Sequence, residues 1–166
     1  MNAIRSRGAL RYLLRTPVYL YRWRLGFLLG NRFLLLIHIG RCTGRRHQTV
    51  LEVMEYREDG PEAVVMSGFG PNSDWFRNLK ANRAADVVVG SRHFSASHRL
   101  LGEEEAVTVV RNYERRNWVV APIMRRVLSR LLGWRYSGSE DDRRRMVRQL
   151  PLLSFRLCDS GRPHPL

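Results

Sequence analysis

The stretch FLLLIHIGRCTGRRHQTVLEVMEY, residues 33–56, decides the fold. Phe33 to Ile39 is a continuous apolar run carrying one histidine, His38, and closing on Gly40, the pattern of a strand buried on both faces. Gln48 to Tyr56 is rich in β-branched and aromatic residues and reads as a second strand. Between them, Gly40-Arg41-Cys42-Thr43-Gly44-Arg45-Arg46-His47 is polar and basic, a turn rather than an element.

Downstream, Glu58, Asp59, Gly60 and Pro61 form a turn cluster, so Glu62 to Ser67 is expected to return antiparallel as a hairpin. A glycine-bearing loop, Gly68 to Ser73, leads into Asp74 to Asn82, where an acidic first turn and Trp75 with Leu79 at i,i+4 predict a short helix. Val87 to Val89 and Phe94 to Leu101 predict a second hairpin around Gly90, Ser91 and Arg92. Glu103, Glu104 and Glu105 open a long helical region running toward Trp118, which Pro122 interrupts or restarts and Gly133 stops. These three glutamates read as charge matching at a helix N-terminus rather than as acid/base groups. Ser139 caps a further helix with Glu140, Asp141 and Asp142 in its first turn, Pro151 ends it, and Leu152 to Leu157 is the last strand.

Six strands in mostly sequence-adjacent antiparallel pairs, flanked by helices, predict an α+β, mainly β chain: a small closed or nearly closed β-barrel with peripheral helices. The expected organisation is a basic amphipathic helical segment over 1–32, the barrel domain over 33–158 and a short tail over 159–166. Upstream of the barrel, Ile4 to Leu29 has helical periodicity, with Arg7, Arg11, Arg15 and Arg22 recurring beside Leu10, Leu13, Leu14 and Val18. Thr16-Pro17 reads as a helix start, so two short helices are expected to meet there. Arginines interrupt this region too often for a signal peptide. The apolar stretch Leu25 to Ile39 falls short of the ~20 residues that cross a bilayer.

The chain carries 29 basic and 15 acidic residues, a formal charge of +14, and Lys80 is its only lysine. Arginine is the side chain suited to bidentate contact with phosphate and carboxylate, so an anionic partner is expected. No helix-turn-helix, zinc finger or RNP signature accompanies the charge, which disfavours nucleic acid. Cys42 and Cys158 form no CxxC pair, and His38, His47, His93 and His98 show no metal-ligand spacing. The turn over residues 40–47 has two readings. Its glycines can present amides to an anion while Thr43 and the arginines add donors, as in a phosphate cradle; equally, a basic hairpin turn is ordinary solvated surface. It lacks the Gly-Lys-Ser/Thr ending of a Walker A loop, and no GxGxxG opens a helix.

This turn, followed by Ser67-Gly68-Phe69-Gly70 and then Asp74-Trp75-Phe76-Arg77-Asn78-Leu79, resembles the deazaflavin-dependent nitroreductase and quinone-reductase family. That family carries a Gly-Arg-x-Ser/Thr-Gly turn, a Ser-x-Gly-Gly-like loop and an Asp/Ala-Trp-Tyr/Phe-x-Asn-Leu helix in the same order. The likeness runs more loosely to Pro151-Leu152-Leu153-Ser154-Phe155-Arg156-Leu157. It implies an FMN-binding-like split β-barrel that transfers a hydride from reduced coenzyme F-420 to a quinone, nitro compound or other electrophilic acceptor, with FMN and haem disfavoured as cofactors.

Carried over, the resemblance places Arg41, Thr43, Gly44, Arg45 and His47 on the cofactor's phosphate and tail. Ser67, Gly68 and Gly70 would lie near its ring, and Trp75, Asn78 and Leu79 would complete the pocket wall. Each has a plainer reading: Trp75 and Leu79 as core contacts, Asn78 as a helix brace, Ser67 as a hydroxyl bonded within its own turn. Cys42 departs from the Lys or Arg common in relatives. The tyrosine-rich segment of some nitroreductases is missing, which leaves Tyr113, Trp118, Trp134 and Tyr136 as substrate-pocket candidates. No catalytic side chain is assigned, because the cofactor supplies the chemistry. The chain is expected in the cytoplasm, at the inner face of the membrane if its N-terminal helix meets anionic lipid, and a homodimer is a further expectation. The alternative is a non-catalytic cofactor- or lipid-binding barrel at an anionic membrane surface. Arg143 is expected at the surface, so that Arg143→Ala disturbs cofactor binding less than Arg41→Ala.

Overall fold

A computed structural model describes residues 31–82 and 85–159. Six antiparallel strands close a barrel: β1 (Phe33–Ile39), β2 (Arg46–Arg57), β3 (Glu62–Met66), β4 (Ala85–Val89), β5 (Arg92–Leu100) and β6 (Leu152–Asp159). Their order around the barrel is β1-β2-β3-β6-β5-β4, with β4 pairing back onto β1. The expected mainly-β barrel is therefore what forms, and its last strand is inserted between β3 and β5. The expectations for the N-terminal helical segment fall outside the described residues.

Several strands run further than their composition predicts. Arg46 joins β2 because it sits opposite Ile39, and Arg92 joins β5 because it sits opposite Val89. Ladder partners, not residue type, set these ends. β2 also carries a bulge: Val53 pairs with Val65 and Glu55 with Val64, leaving Met54 as the extra residue.

Strand alternation divides the apolar residues into two layers. Leu34, Leu36, Val53, Val65, Val87, Phe94, Phe155 and Leu157 fill the barrel interior. Met54, Val64 and Leu152 instead join a second layer formed with α2 (Glu103–Arg116), α3 (Ala121–Leu132) and α4 (Glu140–Gln149). In α2, Ala106, Val107, Val110 and Tyr113 recur at helical spacing and are all buried. A shorter helix, α1 (Asp74–Ala81), runs from the end of β3 to the start of β4 and inserts Trp75, Phe76 and Leu79 into the barrel core.

Helix boundaries follow local chemistry closely. Pro122 sits in the first turn of α3, Gly133 ends that helix, and the Ser139 hydroxyl accepts from the Asp142 N–H at the start of α4. The acidic first turn of α2 does more than match a helix dipole. Glu103 pairs with Arg148 at 2.8 Å, Glu104 with Arg144, and Glu105 with Arg99 at 2.7 Å, so α2, α4 and β5 are laced together. Hydrogen bonds from these arginines hold all three carboxyls below their ordinary range.

One expectation is corrected here. Arg143 is no surface residue: its side chain is 15% exposed and donates at 2.9 and 2.6 Å to Glu114, which is 7% exposed. An arginine in a charged helical run reads as surface, but α4 turns this one toward Glu114 on α2.

Candidate functional site

The β1–β2 turn and α1 lie at the same end of the barrel, because β1 ends there, β2 begins there and α1 bridges the neighbouring strand ends. Two backbone bonds close the turn: the Gly40 N–H donates to the Arg45 carbonyl at 2.8 Å and the Gly44 N–H to the Gly40 carbonyl at 2.9 Å. Gly44 has φ +65°, a left-handed conformation that favours glycine. Gly40 is buried, and a Cβ there would lie 2.8 Å from both Thr43 Oγ1 and His47 Nε2.

Arg41 joins this turn to α1. Its backbone N–H and its Nη1 donate to Asn78 Oδ1 at 3.1 and 2.9 Å, and its Nη2 lies 3.2 Å from Asp74 Oδ1. Two donors on Oδ1 settle the orientation of the Asn78 amide, so its Nδ2 donates to His38 Nδ1 at 3.0 Å. Nδ1 is then the unprotonated nitrogen of His38, and Nε2 carries the proton toward Thr49 Oγ1 at 3.3 Å. A buried histidine, a buried asparagine and a half-buried arginine thus form one chain running from the barrel wall to the turn.

The glycine loop before α1 is held by hydroxyls. Ser67 Oγ donates to the Gly70 carbonyl at 2.6 Å and meets Ser73 Oγ at 2.8 Å, while Ser73 Oγ donates to the same carbonyl at 3.0 Å. Ser67 is fully buried, so its hydroxyl serves the turn. Gly70 has φ +70°, and a Cβ there would come within 3.0 Å of the Gln149 carbonyl, so backbone conformation and space both select glycine.

The sequence-predicted residues therefore fall into two groups. Thr43, Gly44, Arg45 and His47 are exposed on the turn, with Arg41 half-buried beneath them. Trp75 and Leu79 belong to the barrel core, and Asn78 braces the turn from below. Gly68 faces open space, and neighbouring Phe69 is 47% exposed. This donor set fits an anionic group: Arg45 makes no ion pair with the described residues and the Thr43 hydroxyl donates to none of them. With no side chain at Gly68 and nothing within 4 Å of where one would stand, the backbone there is open to close approach.

Of the four aromatic candidates, Tyr113, Tyr136 and Trp134 pack within the layer between the barrel and its helices, with the Trp134 and Tyr136 rings 6.0 Å apart, and Trp118 stands apart from them. The Tyr113 hydroxyl donates to Glu52 at 2.5 Å and the Tyr136 hydroxyl to Glu114 at 2.5 Å; burial and these bonds raise both phenols well above their ordinary range. Trp134 donates to Gln149 and lies under Arg145, while Trp118 is 73% exposed. Clefts among the described residues open at the opposite end of the barrel, one of about 440 Å³ bounded by Tyr56, Pro61, Val89, Arg92 and Phe94.

His38 is the polar residue that the sequence reading passed over, having weighed it only as a metal ligand. Burial, and then the stacked His47 ring at 5.7 Å, lower its pKa from 6.5 to about 4, against a smaller opposing pull from Asp74. The signal in the sequence was a lone histidine in an apolar strand with an asparagine available on the following helix. Because the folded-state value is depressed, an unfolded chain binds the proton first as pH falls. The contribution to stability is whole above pH 6.5 and is lost on the way down to about 4. Asn78→Asp places a carboxylate against Nδ1 and is expected to raise the His38 midpoint above 6.5 in an NMR titration of its imidazole. A wild-type midpoint near the ordinary value would refute the neutral assignment.

Comparison with known proteins bears on this arrangement. No curated protein matches the chain. Among solved structures, an F-420-H2-dependent reductase, FDR-A, shares 18% identity over 76% of this chain and 96% of its own, with a TM-score of 0.45. An FMN-binding protein related to pyridoxamine 5'-phosphate oxidase, from Nostoc punctiforme, shares 15% over 91% and 79%, with a TM-score of 0.46. A protein of unknown function from Agrobacterium tumefaciens shares 13% over 86% of this chain and 55% of its own, with a TM-score of 0.49. Likenesses at this level assign no ligand to this chain. The sequence model of the F-420H(2)-dependent quinone reductase family, however, matches residues 14–122, a span containing β1 to β5, the 40–47 turn and all of α1. The turn and helix that Arg41 and Asn78 lock together are thus part of a match over well over half the chain, which belongs to the F-420H(2)-dependent quinone reductase family and is an F-420-dependent oxidoreductase.

Proposed function

We propose that the chain passes a hydride from reduced coenzyme F-420 to a quinone or another electrophilic acceptor such as a nitro compound, and that the 41–47 turn with residues 67–79 forms the cofactor site. The observation that carries this reading is the Arg41–Asn78 bond, which joins two segments 37 residues apart into one rigid, donor-rich surface. When bound, the reduced deazaflavin supplies a hydride, and the acceptor gains a proton besides. The chain's own part is positional. Thr43, Arg45 and His47 are proposed to meet the anionic phosphate and tail, with Arg41 holding the turn at the right height. Gly68 and Gly70 are proposed to let the ring approach the backbone, and Ser67, Trp75 and Leu79 to support that surface from beneath. Of the aromatic substrate candidates, Trp118 alone presents its ring mainly to solvent.

No helix among the described residues is long and apolar enough to cross a membrane. The arginine spacing of residues 4–29 supports a peripheral contact with anionic lipid through that segment. The cofactor reading is tested by titrating purified protein with oxidised F-420 and following its fluorescence, with FMN in parallel. Saturable F-420 binding with no FMN binding is expected. Equal binding of both, or of neither, would remove the site assignment.

A further inference from the structure

The turn between α2 and α3, with the outer face of α3, carries the largest apolar exposure among the described residues. Trp118 is 73% exposed, Val119 70%, Val120 42%, Ile123 69% and Val127 47%. Helical spacing explains the division of α3. Met124, Leu128, Leu131 and Leu132 pack against the α2–α4 layer, while Ile123, Arg126, Val127 and Arg130 form a stripe on the opposite side.

The charge around this stripe differs from the charge elsewhere. Between Glu114 and Glu140 the chain has six arginines, Arg115, Arg116, Arg125, Arg126, Arg130 and Arg135, and no acidic residue. Arg99, Arg111, Arg143, Arg144 and Arg148 are all spent on glutamates within the fold. Arg126 and Arg130 make no ion pair with the described residues and stand exposed on the apolar stripe.

We infer that this face, Trp118 to Val120 with Ile123, Arg126, Val127 and Arg130, docks on the surface of an anionic lipid bilayer. A tryptophan beside aliphatic residues with arginines at their rim is the pattern of an interfacial helix, whose apolar side enters the headgroup boundary while its cations meet lipid phosphates. Charge decides against the other occupants. Residues 1–30 of this chain contain six arginines and no acidic residue, so they repel this face, and a second copy repels it for the same reason. Single-stranded nucleic acid would satisfy the arginines but would find one aromatic ring to stack on among aliphatic side chains. The inference stands on this surface alone and does not depend on which acceptor the enzyme reduces.

The test is sedimentation of the full-length protein with phosphatidylcholine vesicles, with and without phosphatidylglycerol. Saturable binding to the anionic vesicles, weakened by salt and small on phosphatidylcholine alone, is expected. Arg126→Glu with Arg130→Glu should lower partitioning by about tenfold or more, whereas Lys80→Glu with Arg156→Glu, an equal charge change at exposed positions elsewhere, should lower it by less than about twofold. Val119→Ser with Ile123→Ser should weaken binding several-fold without any change in charge. Unchanged circular dichroism and F-420 affinity would show that the variants are folded and would keep a failure here distinct from a failure of the cofactor reading. The inference is overturned if the α3 variants partition like the wild type, if the control pair loses as much, or if an oligonucleotide rather than the vesicles loses binding.

Discussion

Arg143→Ala is expected to destabilise the protein by about 3–5 kcal/mol, because it strips a buried carboxylate of its cation. Glu114 is 7% exposed and accepts from Arg143 Nε and Nη2 and from the Tyr136 hydroxyl, with Glu140 also drawn to Arg143 Nη1 at 3.4 Å. Without the guanidinium, one hydrogen bond from Tyr136 remains to hold a charge inside the layer between α2 and α4. Urea denaturation followed by circular dichroism reads the loss directly. Replacing the whole group, as Glu114→Leu, Tyr136→Phe and Arg143→Met together, should cost less than the single change, since no polar atom is then stranded. A loss below about 1 kcal/mol for Arg143→Ala would mean that water reaches Glu114 and that the pair behaves as a surface bridge.

Arg41→Ala is expected to weaken F-420 binding about tenfold to a hundredfold, or ~1.4–2.7 kcal/mol, with a much smaller effect on stability. The ion pair with Asp74 is a minor part of this, because that carboxylate is 76% exposed. The larger part is the anchorage of the turn to buried Asn78, through a bond from a charged donor. Arg41→Lys should recover little, since an ammonium cannot reach Asn78 and Asp74 in the same planar geometry. Arg156→Ala, exposed on β6 and away from the turn, is the control. Equal cofactor affinities for the Arg41 and Arg156 variants would detach the turn from the cofactor.

The arrangement separates two tasks that the sequence motif presents as one list. Thr43, Arg45 and His47 are exposed on the turn, His47 with its ring stacked on His38, while Arg41, Asn78, Ser67 and Ser73 spend their polar atoms on one another. A motif records which residues occur together, and both kinds of residue occur together here. Burial alone distinguishes a side chain available to a ligand from one that holds its neighbours in place.

Much of the fold was legible without coordinates, because strands, turns and helix ends are set by chemistry within a few residues. Gly44 at the β1–β2 turn, Ser139 at the start of α4, Pro122 within the first turn of α3 and Gly133 at its end all act locally. The count of six strands and their first hairpins followed from the same signals. By itself, then, the sequence determined the elements, the mainly-β class, the family and the excess of arginine. Tertiary structure alone decided that β6 enters between β3 and β5, that Arg143 turns inward to Glu114, that His38 reaches Arg41 through Asn78, and that Trp118 and Ile123 remain outside. These contacts join residues far apart along the chain, and neither periodicity nor turn chemistry reports which distant side chain will arrive to satisfy a buried polar atom or cover an apolar face.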